Sequence, residues 1–483
     1  MFLVLLCVGI TLWYVAFRYK RRRLYELADL VPGPETKIPL IGIIEESLKP
    51  VVLSMDFASS ITNPIDVEFV TKKCLQKYDM LLKIFRSFNG DSGIFAPVHI
   101  WTRRRKLTVA AYSPKVVNSY VDVIVQKTEE LTERLRDNNC VGTGPFKIGS
   151  YIGEYSLEAI FEAALGVNNT RLSDSKRSAF IKATTHIFAS VATRLFSVWL
   201  WPDFIYYLTP SGREFKRCMD LTTTFADEII QNKRKELKIS QEQIAEMYND
   251  DGPKKVSCFL EHLLLLSSKD NITDLELKEE VLTFLFAGTD TSSVGICNTL
   301  KLLAKYPKVQ EKLYQEIMEV LGDPSRTLVK EDLQNLKYLE RVIKESLRLF
   351  PPVPIISREA EEEIQLHRFL ASGTRVPAHA GIIILVWGIG RDPEQWGPDA
   401  DCFDPDRFLP GRKTGLFVPF STGPRNCLGY QFAFISMKLA LTAILRRYKV
   451  TGEEESGPVP VIDCSFNVMM KAKDGYEICL EER

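Results

Sequence analysis

The chain has 483 residues, 45% of them apolar and 26% charged, and its 62 basic and 62 acidic side chains cancel. That length supports a large core, and zero net charge argues against general nucleic-acid binding. Length alone suggests about three domains, but after residue 42 no Gly/Ser tract and no repeat marks a division, so one large domain is expected.

Met1 to Phe17 carry no charge and are largely apolar, close to the lower bound of about 17 residues for a spanning helix. Arg18, Lys20, Arg21, Arg22 and Arg23 follow at once. A cleaved secretory signal has its positive charge before the apolar run, so this order predicts a retained anchor with the body on the cytoplasmic side. The expected division is 1–17 transmembrane anchor, 18–42 basic and proline-rich linker with Pro32-Gly33-Pro34 as its elbow, and 43–483 globular body. Of the ten scattered cysteines Cys7 lies inside the anchor, and the others, on that side of the membrane, stay reduced, while the sequons at Asn168 and Asn271 stay empty. Five histidines show no metal spacing.

Further along, Trp101 and Arg105 lie four apart and share a helix face, inside a basic run from Arg103 to Lys106. Between His186 and Leu208 the chain crowds Phe188, Phe196, Trp199, Trp201, Phe204, Tyr206 and Tyr207. These read equally as ordinary core or as an apolar lip that dips into a membrane interface. A single long helix is expected from Asp274 to about Lys305, with Thr273 and Glu276 at capping-box spacing. Its middle holds Ala287-Gly288-Thr289-Asp290-Thr291-Ser292, mostly weak helix formers whose hydroxyls bond back to carbonyls and open the turn. Asp290 and Thr291 then stand side by side as an acid and an alcohol, a pair suited to passing protons. Glu345 and Arg348 lie three apart and can pair. Pro351-Pro352-Val353-Pro354 ends the preceding helix and leads into a strand carrying Arg358.

The last feature is Phe420-Ser421-Thr422-Gly423-Pro424-Arg425-Asn426-Cys427-Leu428-Gly429. It sets one cysteine in a glycine-bracketed loop before a long apolar helix. Arg425 and the positive end of that helix, read as starting at the cysteine, both favour a thiolate. A lone thiolate suits neither zinc nor an iron–sulfur cluster, which need several ligands at short spacing. It suits the axial position of haem, where it favours O–O cleavage.

Phe420, Gly423, Arg425, Cys427 and Gly429 resemble the haem-binding signature of cytochrome P-450 monooxygenases, and the resemblance extends over nearly the whole chain. It implies a mainly α fold, the cytochrome P-450 fold with small β-sheets, plus one N-terminal transmembrane helix. It implies haem b (iron protoporphyrin IX) with Cys427 as the metal ligand, in a loop where Phe420 and Gly429 also contact the cofactor. Asp290 and Thr291 are similar to the family's proton-relay pair. Trp101, Arg105, Arg358 and Arg425 match positions that hold the haem propionates. Glu345 and Arg348 resemble the family's Glu-x-x-Arg motif, and Arg407 the arginine that completes its buried triad.

No glycine-rich nucleotide fingerprint follows a strand, so electrons come from another protein. By resemblance the partners are NADPH–cytochrome reductase and cytochrome b5, with Arg103, Arg104, Lys413, Lys438 and Arg447 as candidates for docking an acidic partner. The implied location is the endoplasmic reticulum membrane with the catalytic domain cytosolic, and the implied substrate is a lipophilic small molecule. Trp101 to Leu107 and Glu280 to Phe286 look like family four, known for fatty-acid ω-hydroxylation and for arthropod lipid, hormone and insecticide oxidation. One position departs: many members carry a glutamate, able to esterify a haem methyl, where this chain has Ala287. Two rival functions are a haem-thiolate isomerase or dehydratase acting on lipid peroxides, often without the acid–alcohol pair, and a non-enzymatic haem sensor or carrier.

Overall fold

The computed structural model describes residues 63–167, 174–237, 248–249, 252–253, 258–269, 272–323, 325–366, 375–412, 414–455 and 457–483. The expected anchor and linker (1–42), Asn168, Asn271 and Lys413 lie outside the described residues. Among the described residues no helix is long and apolar enough to cross a membrane.

Helices dominate. The principal ones are α1 (Pro64–Lys73), α2 (Asp79–Asn89), α3 (Val98–Thr108), α4 (Val121–Asp137), α5 (Gly149–Ala159), α6 (Asp174–Phe196), α7 (Asp203–Leu208), α8 (Pro210–Leu237), α9 (Phe259–Lys269), α10 (Asp274–Lys305), α11 (Pro307–Leu321), α12 (Lys337–Leu349) and α13 (Tyr430–Leu445). The strands form small antiparallel sheets. Ile355–Glu359 pairs with Gly381–Leu385, Cys464–Asn467 with Met469–Ala472, and Glu477–Glu482 lies between Phe146–Lys147 and Tyr448–Thr451.

Helix α10 is the axis. It starts and ends where the sequence places it. Both bonds of its capping box are made: the Glu276 N–H donates to Thr273 Oγ1 at 3.2 Å, and the Thr273 N–H to Glu276 Oε2 at 2.9 Å. It packs against α5, α8, α12 and α13. Leu285, Ile296, Leu300 and Leu303 on it are fully buried. Next to α5, Ile160 starts a π-helical turn, and a Cβ at Gly288 would stand 2.6 Å from Ile160 Cδ1. Glycine there lets α10 approach α5 closely.

The Glu345–Arg348–Arg407 triad fixes the segment that leads to the cysteine. Arg348 donates to both Glu345 oxygens at 2.7 Å, and Arg407 Nε lies 3.5 Å from Glu345 Oε1. Arg348 further donates to the carbonyls of Gly390, Ala400 and Cys402, and Glu345 accepts the Asp404 N–H at 2.9 Å. The expected salt bridge is therefore present and wholly buried.

Of the aromatics between residues 186 and 208, Phe188 and Tyr206 are core, whereas Phe196, Trp199, Phe204 and Tyr207 are exposed, Phe204 at 72% and its neighbour Leu208 at 74%. The stretch is thus part core and part exposed apolar surface. Arg194 sets the division: it donates to the carbonyls of Leu200 and Trp201 and stacks 4.5 Å over Tyr206, tying down the turn from which Trp199 projects.

Candidate functional site

The cysteine loop is built by backbone bonds. The Cys427 N–H donates to the Phe420 carbonyl at 2.9 Å, and the Asn426 N–H to that of Gly423 at 3.0 Å. Gly423 has φ +73°, and a Cβ there would stand 2.4 Å from the Thr71 carbonyl oxygen, so α1 closes against it. The Phe420 ring packs on Tyr430 and Phe434 of α13. That helix begins at Tyr430, three residues after the cysteine rather than at it. Gly429 is uncrowded: a Cβ there would make one ordinary contact, with Tyr112 Cε1 at 3.9 Å.

Cys427 keeps accessible surface, yet burial raises its thiol pKa, opposed by the Gly429 N–H and by Arg105. Lys77 and Tyr112 show the same combination of accessible surface and strong desolvation. These are marks of side chains that face a void inside the protein. Helix α10 opens onto such a space too. Between Leu285 and Ser292 its partly accessible residues are Ala287, Gly288, Asp290 and Thr291, while the flanking turns are buried. The relay pair expected from sequence therefore stands at a window in an otherwise buried helix.

The pair has more partners than the sequence suggests. Thr291 Oγ1 donates to the Ala287 carbonyl at 2.5 Å. This back-bond is the expected one, although α10 runs on unbroken. Asp290 Oδ1 accepts from Lys471 of the C-terminal hairpin. Its Oδ2 is buried without a hydrogen-bond partner, as is Thr289 Oγ1.

The four predicted propionate residues separate into two groups. Arg425 turns away from the sulfur: it donates to the carbonyls of Leu75 and Ala96 at 3.1 and 2.9 Å and stacks 4.2 Å over the buried Trp101 ring. The cation acting on the cysteine is instead Arg105, whose Nη1 and Nη2 donate to the Asn426 carbonyl and Oδ1 at 2.7 and 2.6 Å. Arg358 donates to the Ser357 carbonyl and lies 3.5 Å from Ser421 Oγ. Burial, aided at Arg425 by repulsion from Arg358, pushes Arg358 down to about 10 and Arg425 to about 9. Arg358 Nε and Arg425 Nη1 are buried with no hydrogen-bond partner.

These residues fit an iron porphyrin on three counts. A single cysteine faces an internal space, a glycine beside it leaves room for a flat group, and two buried guanidiniums retain free N–H donors and lack a described acidic partner. Haem has two carboxylates to meet such cations.

The docking candidates fare differently. Arg104 and Lys438 are only 6% and 7% exposed. Arg104 bonds Glu279 and Glu280, and Lys438 bonds Glu340 and the Leu333 carbonyl. Neither can meet a partner protein. Arg103 and Arg447 reach the surface but are paired with Glu276 and Glu129. In a helix of 3.6 residues per turn, a run of adjacent cations cannot all face one way. Sequence reasoning also missed Lys77, Tyr112 and Lys471, none of which sits in a motif.

A family model described as Cytochrome P450 matches residues 60–480. The chain is 33% identical over 425 residues to "Cytochrome P450 4c21" of Blattella germanica, covering 86% of this chain and 83% of the relative. It is 31% identical over 426 residues to "Cytochrome P450 4V2" of Mus musculus, covering 87% and 79%. It is 29% identical over 524 residues to "Cytochrome P450 4c3" of Drosophila melanogaster, covering 99% and 94%. The chain belongs to the cytochrome P-450 family, in its family-four branch, and is a haem-thiolate monooxygenase.

Proposed function

We propose that this protein inserts one oxygen atom of O2 into a lipophilic substrate, a fatty acid, another lipid, a hormone or a xenobiotic, and releases the other as water. The two electrons come from NADPH through NADPH–cytochrome reductase, with cytochrome b5 as a second donor, and the two protons from solvent. The observation that carries the reading is the pairing of a cysteine facing an internal space with an acid–alcohol window in α10. Haem b, when bound, supplies the dioxygen activation. Cys427 would hold its iron through the sulfur, Phe420 and Gly429 would contact it from the same loop, and Trp101, Arg105, Arg358 and Arg425 would hold its propionates.

The proton path is argued from individual atoms. Thr291 gives its own proton to the Ala287 carbonyl, so its oxygen offers lone pairs to the window and orders a hydrogen-bond donor there. Asp290 is anchored through Oδ1 by Lys471, and its Oδ2 has no hydrogen-bond partner, which leaves that oxygen able to accept and pass on a proton. The test is purified protein with reductase, NADPH, labelled dioxygen and a lipid panel. Substrate-dependent NADPH oxidation should yield product carrying one labelled oxygen; product formed without NADPH would point to an isomerase instead. In Thr291→Ala, NADPH use continues but product per NADPH falls by about tenfold, short of the roughly hundredfold that a placed proton donor can contribute, because Asp290 remains. Unchanged coupling removes Thr291 from the path.

We place the protein in the endoplasmic reticulum membrane, held by residues 1–17, with residues 18–42 as the linker and 43–483 as the cytosolic body. The exposed Phe196, Trp199, Phe204, Tyr207 and Leu208 then form an apolar lip for the interface. Protease added to sealed microsomes should digest the body and leave Asn168 without a glycan; a protected, glycosylated body refutes this orientation.

A further inference from the structure

We infer that the C-terminal hairpin makes proton delivery depend on substrate: its tip meets what occupies the entrance, and its Lys471 sets the position of Asp290. The inference rests on the monooxygenase reading and adds a positioning residue to it. The hairpin pairs Cys464–Asn467 with Met469–Ala472, and Val468 alone makes the turn. Val468 has φ +67°, a left-handed backbone that a β-branched side chain adopts only under strain. Two residues before it, the Phe466 ring packs edge-on against Phe196 at 6.0 Å, at the end of α6. Phe196 belongs to the exposed apolar lip, so the tip lies where a lipophilic substrate arrives from the membrane.

Further along the second strand, Lys471 donates to Asp290 Oδ1. The register sets Met470 opposite Phe466 and Lys471 opposite Ser465, so tip and ammonium are neighbours in the ladder. Between them the Met470 N–H donates to the Pro352 carbonyl at 2.9 Å. That bond pins the strand at one point, with Val468 on one side of the pin and Lys471 on the other, so a shift of the tip is passed on to the ammonium. Among the described residues no other side chain bonds the Asp290 carboxylate; where Lys471 goes, the acid follows. The bland alternative is a partly exposed ion pair beside a packed hairpin, and such pairs contribute little. It accounts neither for a strained valine at the tip nor for a buried carboxylate oxygen left unbonded at the window of α10. Backbone strain persists only where the surroundings impose it, and switch regions are among its usual places.

The test uses the full-length holoenzyme with reductase and two members of one alkyl series, a short substrate confined to the window and a long one that reaches the lip. In the parent, product per NADPH should be higher for the long substrate. Lys471→Met should remove that advantage, about fivefold, short of the roughly hundredfold that a placed proton donor contributes, with the balance released as peroxide. Lys471→Arg should restore most of it. Phe466→Ala should remove the same advantage, and the double variant should lose nothing more, because both residues act through one strand. Binding gives a readout apart from turnover. Coupling between sites is reciprocal in binding, so Lys471→Met should weaken the long substrate about fivefold in its difference spectrum and leave the short one unchanged. Equal coupling for both substrates in the parent, losses that multiply in the double variant, or equal weakening of both substrates overturns the inference. If Lys471→Met does not accumulate, Val468→Gly decides: glycine accepts the left-handed turn without strain, so the long substrate's advantage should vanish, and an advantage that survives counts against the hairpin. A parent protein that makes no product from NADPH would instead bring down the monooxygenase reading itself.

Discussion

Replacing Cys427 by serine should abolish the red-shifted Soret band of the reduced carbon monoxide complex and lower turnover by more than about a hundredfold. Changes to mere outer partners of metal ligands cost roughly 10–100-fold, so loss of the ligand itself should cost more. The effect should be chemical rather than structural. The loop is held by its backbone, through the Cys427 N–H on Phe420 and the Asn426 N–H on Gly423. The side chain faces open space rather than packed neighbours. Chemical denaturation of the apoprotein should therefore be nearly unchanged. A serine variant that keeps both the band and full turnover would mean that Cys427 is not the ligand.

Glu345→Ala should be the most destabilising single change proposed here. Glu345 is fully buried and is the carboxylate shared by Arg348 and Arg407, themselves 2% and 3% exposed. Removing it leaves the buried Arg348 guanidinium without a carboxylate, although Arg407 keeps Asp399 at 2.9 Å, and breaking a buried pair in this way costs about 3–5 kcal/mol. The loss should appear as a lower urea midpoint and as protein purified with little haem, because the tethered segment precedes the cysteine loop. Glu345→Gln keeps the size and part of the hydrogen bonding, so it should fall between. An alanine variant with an unchanged midpoint and full haem content would show that the triad does not hold the segment.

Helix α10 was legible at both ends because its signals are local: a capping box at Thr273 and Glu276, and Pro307 just beyond Lys305. The triad was legible through two arginines at recognisable positions. What the sequence does not carry is direction. Arg425 stands two residues from the sulfur, yet the closeness of Trp101 and of the Leu75 and Ala96 carbonyls draws it to the other side. The run Arg103 to Lys106 reads as one basic face, whereas the helical turn sends Arg104 into an acidic pocket. There burial pushes the Glu280 carboxyl up to about 7 against the pull of Arg104. Lys471 meets Asp290 across 181 residues of chain, a separation that no local pattern encodes.

The Arg348 side chain has one more consequence. Its bonds to the carbonyls of Gly390, Ala400 and Cys402 are made wholly within the protein. Ordering backbone costs about 1–2 kcal/mol per residue in conformational entropy. For the stretch from 390 to 404 that loss is met when the chain folds, not when the cofactor arrives. Cofactor capture then has to order little beyond the final loop, so more of the cofactor's binding energy is left to appear as affinity.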